Sequence, residues 1–463
     1  AFEAMPSNID VSDFSTCAAR YDAGTGNFAI VAESAPARIA SRISTIALSA
    51  IRRGYRRVLG RQPRTPTLDR MPGSYIVAGA RTPIGKMSGA LAGFSAAELG
   101  AIAIAEALSR ANVKPEQVDH VMMGQVLMAG QGQVPARQAA VEAGIPLHVP
   151  AVNINKVCLS GINTIYLADQ MIQAGDADIV VAGGMESMTG APYIASGARG
   201  GFRYGNTELA DAIIKDGLWC AFDACLMGEG TEKYNAGGIG RAAQDEFAAK
   251  SHERAANAIK EGRLAEEIVP VAIPQRKGDP LMFDTDEGVR PGTTGESLGG
   301  LKPAFVKEGS ITAGNASQIS DGGSAVIVMS KKAAEACGVA PLGEVVSYGL
   351  VAGPDNISLL HQPSRAIQAA LAKIGKKVSD LDLFELNEAF AAVGIASMAE
   401  LGITDEITNV NGGAIALGHP IGMSGNRITL HLLHELRRRG GGMGAAALCG
   451  GGGQGDAIIV RSL

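Results

Sequence analysis

The sequence predicts a layered α/β protein of two similar halves about a pseudo-two-fold axis, with an inserted loop domain between them. Three observations carry this expectation. Apolar residues fill 46% of the 463 positions while aromatics reach only 4%, and 61 residues are glycine. That balance suits thin layers packed from Ala, Val, Ile and Leu. From Ser74 onward short apolar runs alternate with stretches of helical spacing, the rhythm of a mostly parallel sheet with helices on both faces. A series of segments then recurs in order. V-D-H-V-M-M-G-Q-V (118–126), V-N-I-N (152–155), L-S-G-I-N (159–163) and I-V-V-A-G-G (179–184) return as L-D-L-F-E-L-N-E-A (381–389), V-N-G-G (410–413), M-S-G-N-R (423–427) and A-A-L-C-G-G (446–451). The offset drifts only between 258 and 267 residues, so each half is one copy of a single unit.

Residues 1–70 stand apart: ten arginines, no lysine and six acids, a net of +4 within a chain whose total is −5. They read as an extension outside the fold, of unknown role. The Arg-, Ser- and Ala-rich stretch 36–70 resembles a targeting segment. M-P-G-S-Y-I-V-A-G-A-R-T-P at Met71 reads as a natural start. The first half spans 71–188 and 320–339, beginning with a strand at Tyr75–Ala78 and a helix at Ala96–Ala111. Strands follow at Val118–Leu127 and Asp178–Ala182. Residues 189–319, without a counterpart in the repeat and rich in Gly, Pro and charge, form the inserted loop domain, a usual source of ligand contacts. The second half covers 340–463.

Several function classes drop out. A net charge of −5 does not suit non-specific nucleic-acid binding, and no run of 18 apolar residues offers a membrane span. The six cysteines (Cys17, Cys158, Cys220, Cys225, Cys337, Cys449) are too scattered for a disulfide framework. Without C-x-x-C or clustered histidines, no metal site is expected. A reducing compartment, the cytoplasm, follows, or an organellar matrix if residues 1–70 are a targeting segment.

Chemistry concentrates at strand ends. Ile162, Ile165, Tyr166, Met171 and Ile172 repeat at helical spacing, with Gly175 closing the pattern, so Cys158 stands at a helix start. Free N–H groups and the dipole there favour a thiolate. Taken alone, Cys158 reads equally as a small buried cysteine. His419, in G-H-P-I-G-M-S-G, precedes a second helix from Ser424 to about Arg439, and the repeat places it at a near-equivalent junction. Cys449 opens C-G-G-G-G-Q-G after a strand, and Asn387 follows the strand ending at Leu386. All four lie at C-terminal strand ends, where ligands bind in α/β sheets.

Together V-C-L-S-G at Cys158, N-E-A-F at Asn387, G-H-P-I-G-M-S-G at His419 and C-G-G-G-G-Q-G at Cys449 resemble the motifs of thiolases, in order, from Ser74 to Leu463. The resemblance implies a ping-pong acyl transfer between CoA thioesters. Cys158 is the nucleophile, His419 its base and Cys449 the acid/base at the α-carbon. One oxyanion hole is formed by His419 and a water on Asn387, and another by the N–H groups of Cys158 and Gly451. It also implies CoA contacts from Ser317, Ala313 and Arg290, although Arg290 reads equally as a solvated arginine. Leu218, Phe305 and Phe390 line a tunnel, and Met227 narrows the acyl pocket. CoA enters as substrate, with no tightly bound cofactor, and the assembly is a homodimer or homotetramer, with 197–206 as the tetramer contact. The insertion is most similar to acetyl-CoA acetyltransferases, implying 2 acetyl-CoA ⇌ acetoacetyl-CoA + CoA. Leu226 stands where short-chain members commonly carry histidine, which leaves a longer-chain 3-ketoacyl-CoA thiolase as the alternative. A β-ketoacyl synthase is disfavoured by Asn387 and Cys449.

Overall fold

The computed structural model describes residues 73–235, 238–355 and 358–463, and the backbone of an antiparallel pair, Cys17–Asp22 with Asn27–Ala32. The targeting-segment reading of residues 1–70 falls outside the described residues. The chain divides into two units, Ala1–Arg70 and Met71–Leu463. Every expected site residue belongs to the second.

The first half runs β1 (Tyr75–Arg81), α1 (Ala96–Arg110), β2 (His120–Gly124), α2 (Pro135–Glu142), β3 (Ala151–Ile154), α3 (Ser160–Ala174) and β4 (Ile179–Ser187). In the insertion come β5 (Trp219–Cys220), β6 (Cys225–Leu226), α4 (Met227–Asn235) and α5 (Arg241–Lys260), before β7 (Ser320–Met329) returns to the sheet. The second half is β8 (Gly343–Ala352), α6 (Gln362–Ala372), β9 (Leu383–Leu386), α7 (Ala391–Leu401), α8 (Ser424–Arg438), β10 (Gly442–Gly450) and β11 (Gln454–Ser462). Local signals explain several boundaries. Ser95 caps α1 in a capping box with Glu98, and Gly175 closes α3 at φ +81°.

Apart from β5 and β6, which pair with each other, these strands form one sheet in the order β9-β10-β11-β8-β1-β7-β4-β2-β3. This order is a palindrome of the repeat: β1, β7, β4 and β2 mirror β8, β11, β10 and β9 about the antiparallel β8–β1 junction. The counterpart of β3 shrinks to a single bridge, Phe384 to Thr408. The sheet is mixed rather than mostly parallel. Only β2–β3, β2–β4 and β9–β10 pair in parallel, because β7 and β11 each insert antiparallel into their half.

The core has three apolar layers. Alternate residues of β7 and β11 face opposite sides: Val326, Ile458 and Val460 look into a central layer with Ile162, Ile165 and Leu430. Ala325 and Ile327 meet α1 and α2 on one outer face, and Ala457 and Ile459 meet α6 on the other. Helices α3 and α8 therefore cross between the half-sheets. The crossing is close because both carry glycine at the same repeat position. A Cβ on Gly161 would lie 2.8 Å from Asn426 N, and one on Gly425 would strike Ile162 N. Among the described residues no helix is long and apolar enough to cross a membrane.

Candidate active site

The β3–α3 turn presents Cys158. Leu159 N–H and Ser160 N–H donate to the carbonyls of Lys156 and Val157, winding the chain tightly into the helix. Val157 sits at φ +52°, a strained value for a β-branched residue. Ser160 Oγ accepts from Lys156 N–H at 2.9 Å and donates to Val157 O at 2.6 Å, bracing the turn. From the other half, the loop before α8 carries His419, whose N–H lies 3.2 Å from both Gln318 O and Ser320 Oγ. Asn387 leaves β9 with its N–H on Ala447 O at 2.9 Å, and Cys449 ends β10.

Glycines allow these loops to meet. The carbonyl of Gly422 occupies the space that a Cβ on Gly124, Gly161 or Gly184 would need, so the His419 loop lies across the strand ends of the first half and the start of α3. Gly450 likewise abuts the Leu159 side chain, and a Cβ on Gly451 would lie 3.4 Å from Val157. Asn387 Nδ2 stands 3.5 Å from His419 Nε2. The four loops predicted to converge do so.

Electrostatics at the site differ from expectation in one respect. Burial, reinforced by the Glu186 carboxylate, pushes the Cys158 thiol up to about 12, so the helix terminus does not hold a resting thiolate. Burial also raises the Cys449 thiol, with Cys158 adding to the shift. His419 is driven down to about 3 by burial and then by the Arg427 cation. The resting site is therefore uncharged thiol and imidazole. The tautomer follows from the hydroxyl beside it. Ser424 Oγ donates to Pro420 O at 3.0 Å and so accepts from His419 Nδ1–H at 2.6 Å. Nε2 is then the basic nitrogen, accepting from Asn387 Nδ2 at 3.5 Å. Asn387 Oδ1 is buried with no hydrogen-bond partner among the described residues.

The expected CoA-side residues divide. Met227, Phe305 and Phe390 pack in one cluster with Cys449, the two rings edge-on at 6.0 Å. Leu218 joins Cys158 in another. Ser317 N–H donates to Ala389 O at 3.0 Å, which sets Ser317 between the Asn387 and His419 loops. Gln318 Nε2 ties that segment to Gly288 O, two residues from Arg290. Arg290 and Ala313 are exposed.

Sequence reasoning passed over Glu186 and Ser424. Fully buried Glu186 accepts N–H groups from Val126, Leu127 and Gly422 at 2.9–3.0 Å, joining the His419 loop to the first half. Burial raises it to about 7, against the pull of those three amides. An acid directly after the G-G-M of an apolar strand was the signal available.

Residues 74–332 match the thiolase N-terminal domain family and residues 339–462 the thiolase C-terminal domain family. The chain belongs to the thiolase family. Among curated thiolases, a probable acetyl-CoA acetyltransferase of Mycolicibacterium smegmatis is 58% identical over 387 residues, 83% of this chain and 100% of that protein. The acetyl-CoA acetyltransferase of Cupriavidus necator is 53% identical, over 83% of this chain and 98% of its own length. The crystal structure of the Bacillus anthracis acetyl-CoA acetyltransferase superposes with a TM-score of 0.82 at 40% identity, covering 85% of this chain and 99% of that one. This thiolase thus aligns with its relatives over nearly their full length.

Proposed function

We propose that the protein is an acetyl-CoA C-acetyltransferase that joins two acetyl-CoA into acetoacetyl-CoA and CoA, and runs the reverse thiolysis. The observation that carries this is the meeting of the Cys158 and Cys449 turns with the His419–Asn387 contact of 3.5 Å, where Asn387 Oδ1 is buried with no hydrogen-bond partner among the described residues. Cys158 Sγ attacks the thioester carbonyl as its proton passes to His419 Nε2. The departing CoA thiolate takes the proton of Cys449. The acetyl group now rests on Cys158, His419 carries Nε2–H and Cys449 is a thiolate.

A second acetyl-CoA enters and Cys449 removes its α-proton. A thiol whose pKa is raised is a strong base once ionised. The enolate oxygen receives hydrogen bonds from His419 Nε2–H and from a water held by Asn387 Oδ1. The carbanion attacks the acetyl carbonyl, whose oxygen faces the N–H groups of Cys158 and Gly451. Collapse frees acetoacetyl-CoA, and the Cys158 thiolate recovers its proton from His419. Ser424 acts throughout by holding the Nδ1–H tautomer.

Ser317, Ala313 and Arg290 bind the CoA arm, while Leu218, Met227, Phe305 and Phe390 shape the acyl passage. CoA comes and goes as substrate, and no cofactor stays bound. We read 71–188 with 320–339 and 340–463 as the catalytic halves, and 189–319 as the CoA-binding arm. A homodimer or homotetramer fits the exposed Phe202 and Tyr204 within 197–206, and the cytoplasm fits the free thiols. Leu226 favours one second reading, a 3-ketoacyl-CoA thiolase for longer chains. Assays in both directions over a chain-length series decide: turnover confined to short acyl groups supports the first reading, and efficient cleavage at eight carbons or more sinks it.

A further inference from the structure

Two cysteines outside the proposed catalytic set face each other. Strands β5 and β6 pair antiparallel with Cys220 opposite Cys225 and Trp219 opposite Leu226. Both cysteines are thiols in the structure. Directly opposed residues of an antiparallel pair have Cα atoms about 4.5 or 5.5 Å apart, and either spacing lies inside the roughly 4.4–6.8 Å that a disulfide spans. The loop between them, 221–224, is exposed; Cys225 is half-buried and Cys220 buried. Cys220 Sγ donates to Asp223 Oδ2 at 3.5 Å within that loop.

The hairpin and the residues that flank it reach the Cys158, His419 and Cys449 loops. Gly217, at its base, approaches Ile421 of the His419 loop, and Leu218 packs in the Cys158 cluster. Phe222 at the tip lies 3.5 Å from where a Cβ on Gly452 would sit, in the glycine loop that follows Cys449. Met227, directly after β6, packs in the Cys449 cluster. A change in the stiffness of residues 217–227 is therefore felt on both sides of the reacting groups.

We propose that Cys220 and Cys225 form a reversible disulfide that locks this hairpin as a flap over the substrate entrance, with a low-molecular-weight disulfide as oxidant. The more exposed Cys225 thiolate attacks one sulfur of the oxidant, releasing one small thiolate and leaving a mixed disulfide. Cys220, deprotonated in its turn, attacks the protein-bound sulfur and releases the second. The two protons lost by the cysteines end on the two small thiols. Two electrons pass from the cysteine pair to the oxidant, and a dithiol reductant reverses the exchange. A locked flap cannot adjust to an entering acyl-CoA, so the expected effect falls on KM more than on kcat. The kinetic effect rests on the acyl-transfer reading above, whereas the bond itself does not.

The test treats the full chain with oxidised glutathione, unfolds it in urea while blocking the remaining thiols with iodoacetamide, and digests with trypsin without reductant. Both cysteines fall in one peptide, 216–233, because no Lys or Arg lies between Lys215 and Lys233. Cys158 and Cys449 fall in others. The expected result is a 216–233 peptide without alkyl groups and two hydrogens lighter than its dithiol form, while the Cys158 peptide is alkylated. KM for acyl-CoA rises several-fold, dithiothreitol restores it, and Cys225→Ser shows no such change. A glutathione adduct on either cysteine, or two alkyl groups, overturns the disulfide. An unchanged KM with the bond formed, or an equal loss in Cys225→Ser, overturns the flap. If the reduced protein shows no acyl transfer at all, the proposed function fails while the peptide result still stands.

Discussion

The turn that carries Cys158 and the turn that leads into α8 are two copies of one piece of chain. Aligning Leu159-Ser160-Gly161 with Met423-Ser424-Gly425 puts Cys158 opposite Gly422 and Lys156 opposite Pro420. In the first half this position carries a thiol. In the second it carries no side chain, and that absence lets the Gly422 carbonyl lie against Gly124, Gly161 and Gly184. The serines diverge for a related reason. Ser160 Oγ accepts the N–H of Lys156, but Pro420 has no N–H to give. Ser424 Oγ donates to the Pro420 carbonyl, one residue earlier than the counterpart of the Val157 carbonyl that Ser160 uses, and accepts His419 Nδ1–H instead. One substitution in a duplicated turn thus changes a bracing hydroxyl into one that orients an imidazole.

Variants can test how far the division of labour between the two turns extends. Cys158→Ala should lower acyl transfer by at least about 10⁴-fold, with CoA affinity measured calorimetrically unchanged; retained turnover would refute the nucleophile. Removing the unpartnered acceptor in Asn387→Ala should lower kcat by about 10²–10³-fold, and a loss below tenfold would leave the enolate without its assigned water. Because burial holds Cys158 near 12, its alkylation by iodoacetamide should climb about tenfold per pH unit from neutrality, a rise of about 10² over two units. A plateau below pH 8 would mean that the helix terminus wins after all.

The serine pair gives a finer contrast. Ser424→Ala should lower kcat by about tenfold to hundredfold with little loss of stability, because the Nδ1–H tautomer loses its acceptor. Ser160→Ala should do the reverse, costing about 1 kcal/mol in denaturant unfolding and leaving kcat near that of the parent. Equal kinetic losses in both would mean that the two hydroxyls have the same task. Smallest in its effect on rate, Gly422→Ala drives a Cβ to 2.8 Å from Gly124 O and should destabilise by about 1–3 kcal/mol. An unchanged unfolding midpoint would show that the halves have slack where they meet.

Much of this was readable from residues 74 to 463. The repeat predicted a duplicated unit, and the palindromic strand order is what a duplicated unit packed about a two-fold axis must give. His419, Cys449 and Asn387 could be singled out because tight glycine turns and strand ends leave a local trace in the chain. Glu186 left almost none, since its three N–H partners come from residues 126, 127 and 422, brought together only when the halves pack. The pairing of Cys220 with Cys225 was equally hidden. As a spacing it resembles nothing, and it acquires meaning only from a hairpin register.

Sheet direction and protonation state belong to the same hidden class. Alternating elements suggested parallel strands, yet β7 and β11 return antiparallel between their neighbours, and no periodicity within a strand records its neighbour's direction. A helix start at Cys158 argued for a thiolate, a local effect that burial by the folded halves overrides. Patterns along the chain report what a residue does to its near neighbours: turn, helix start, strand end, repeated unit. Desolvation and cross-half contact depend on groups hundreds of residues away, and those interactions exist only once the two halves have closed on each other.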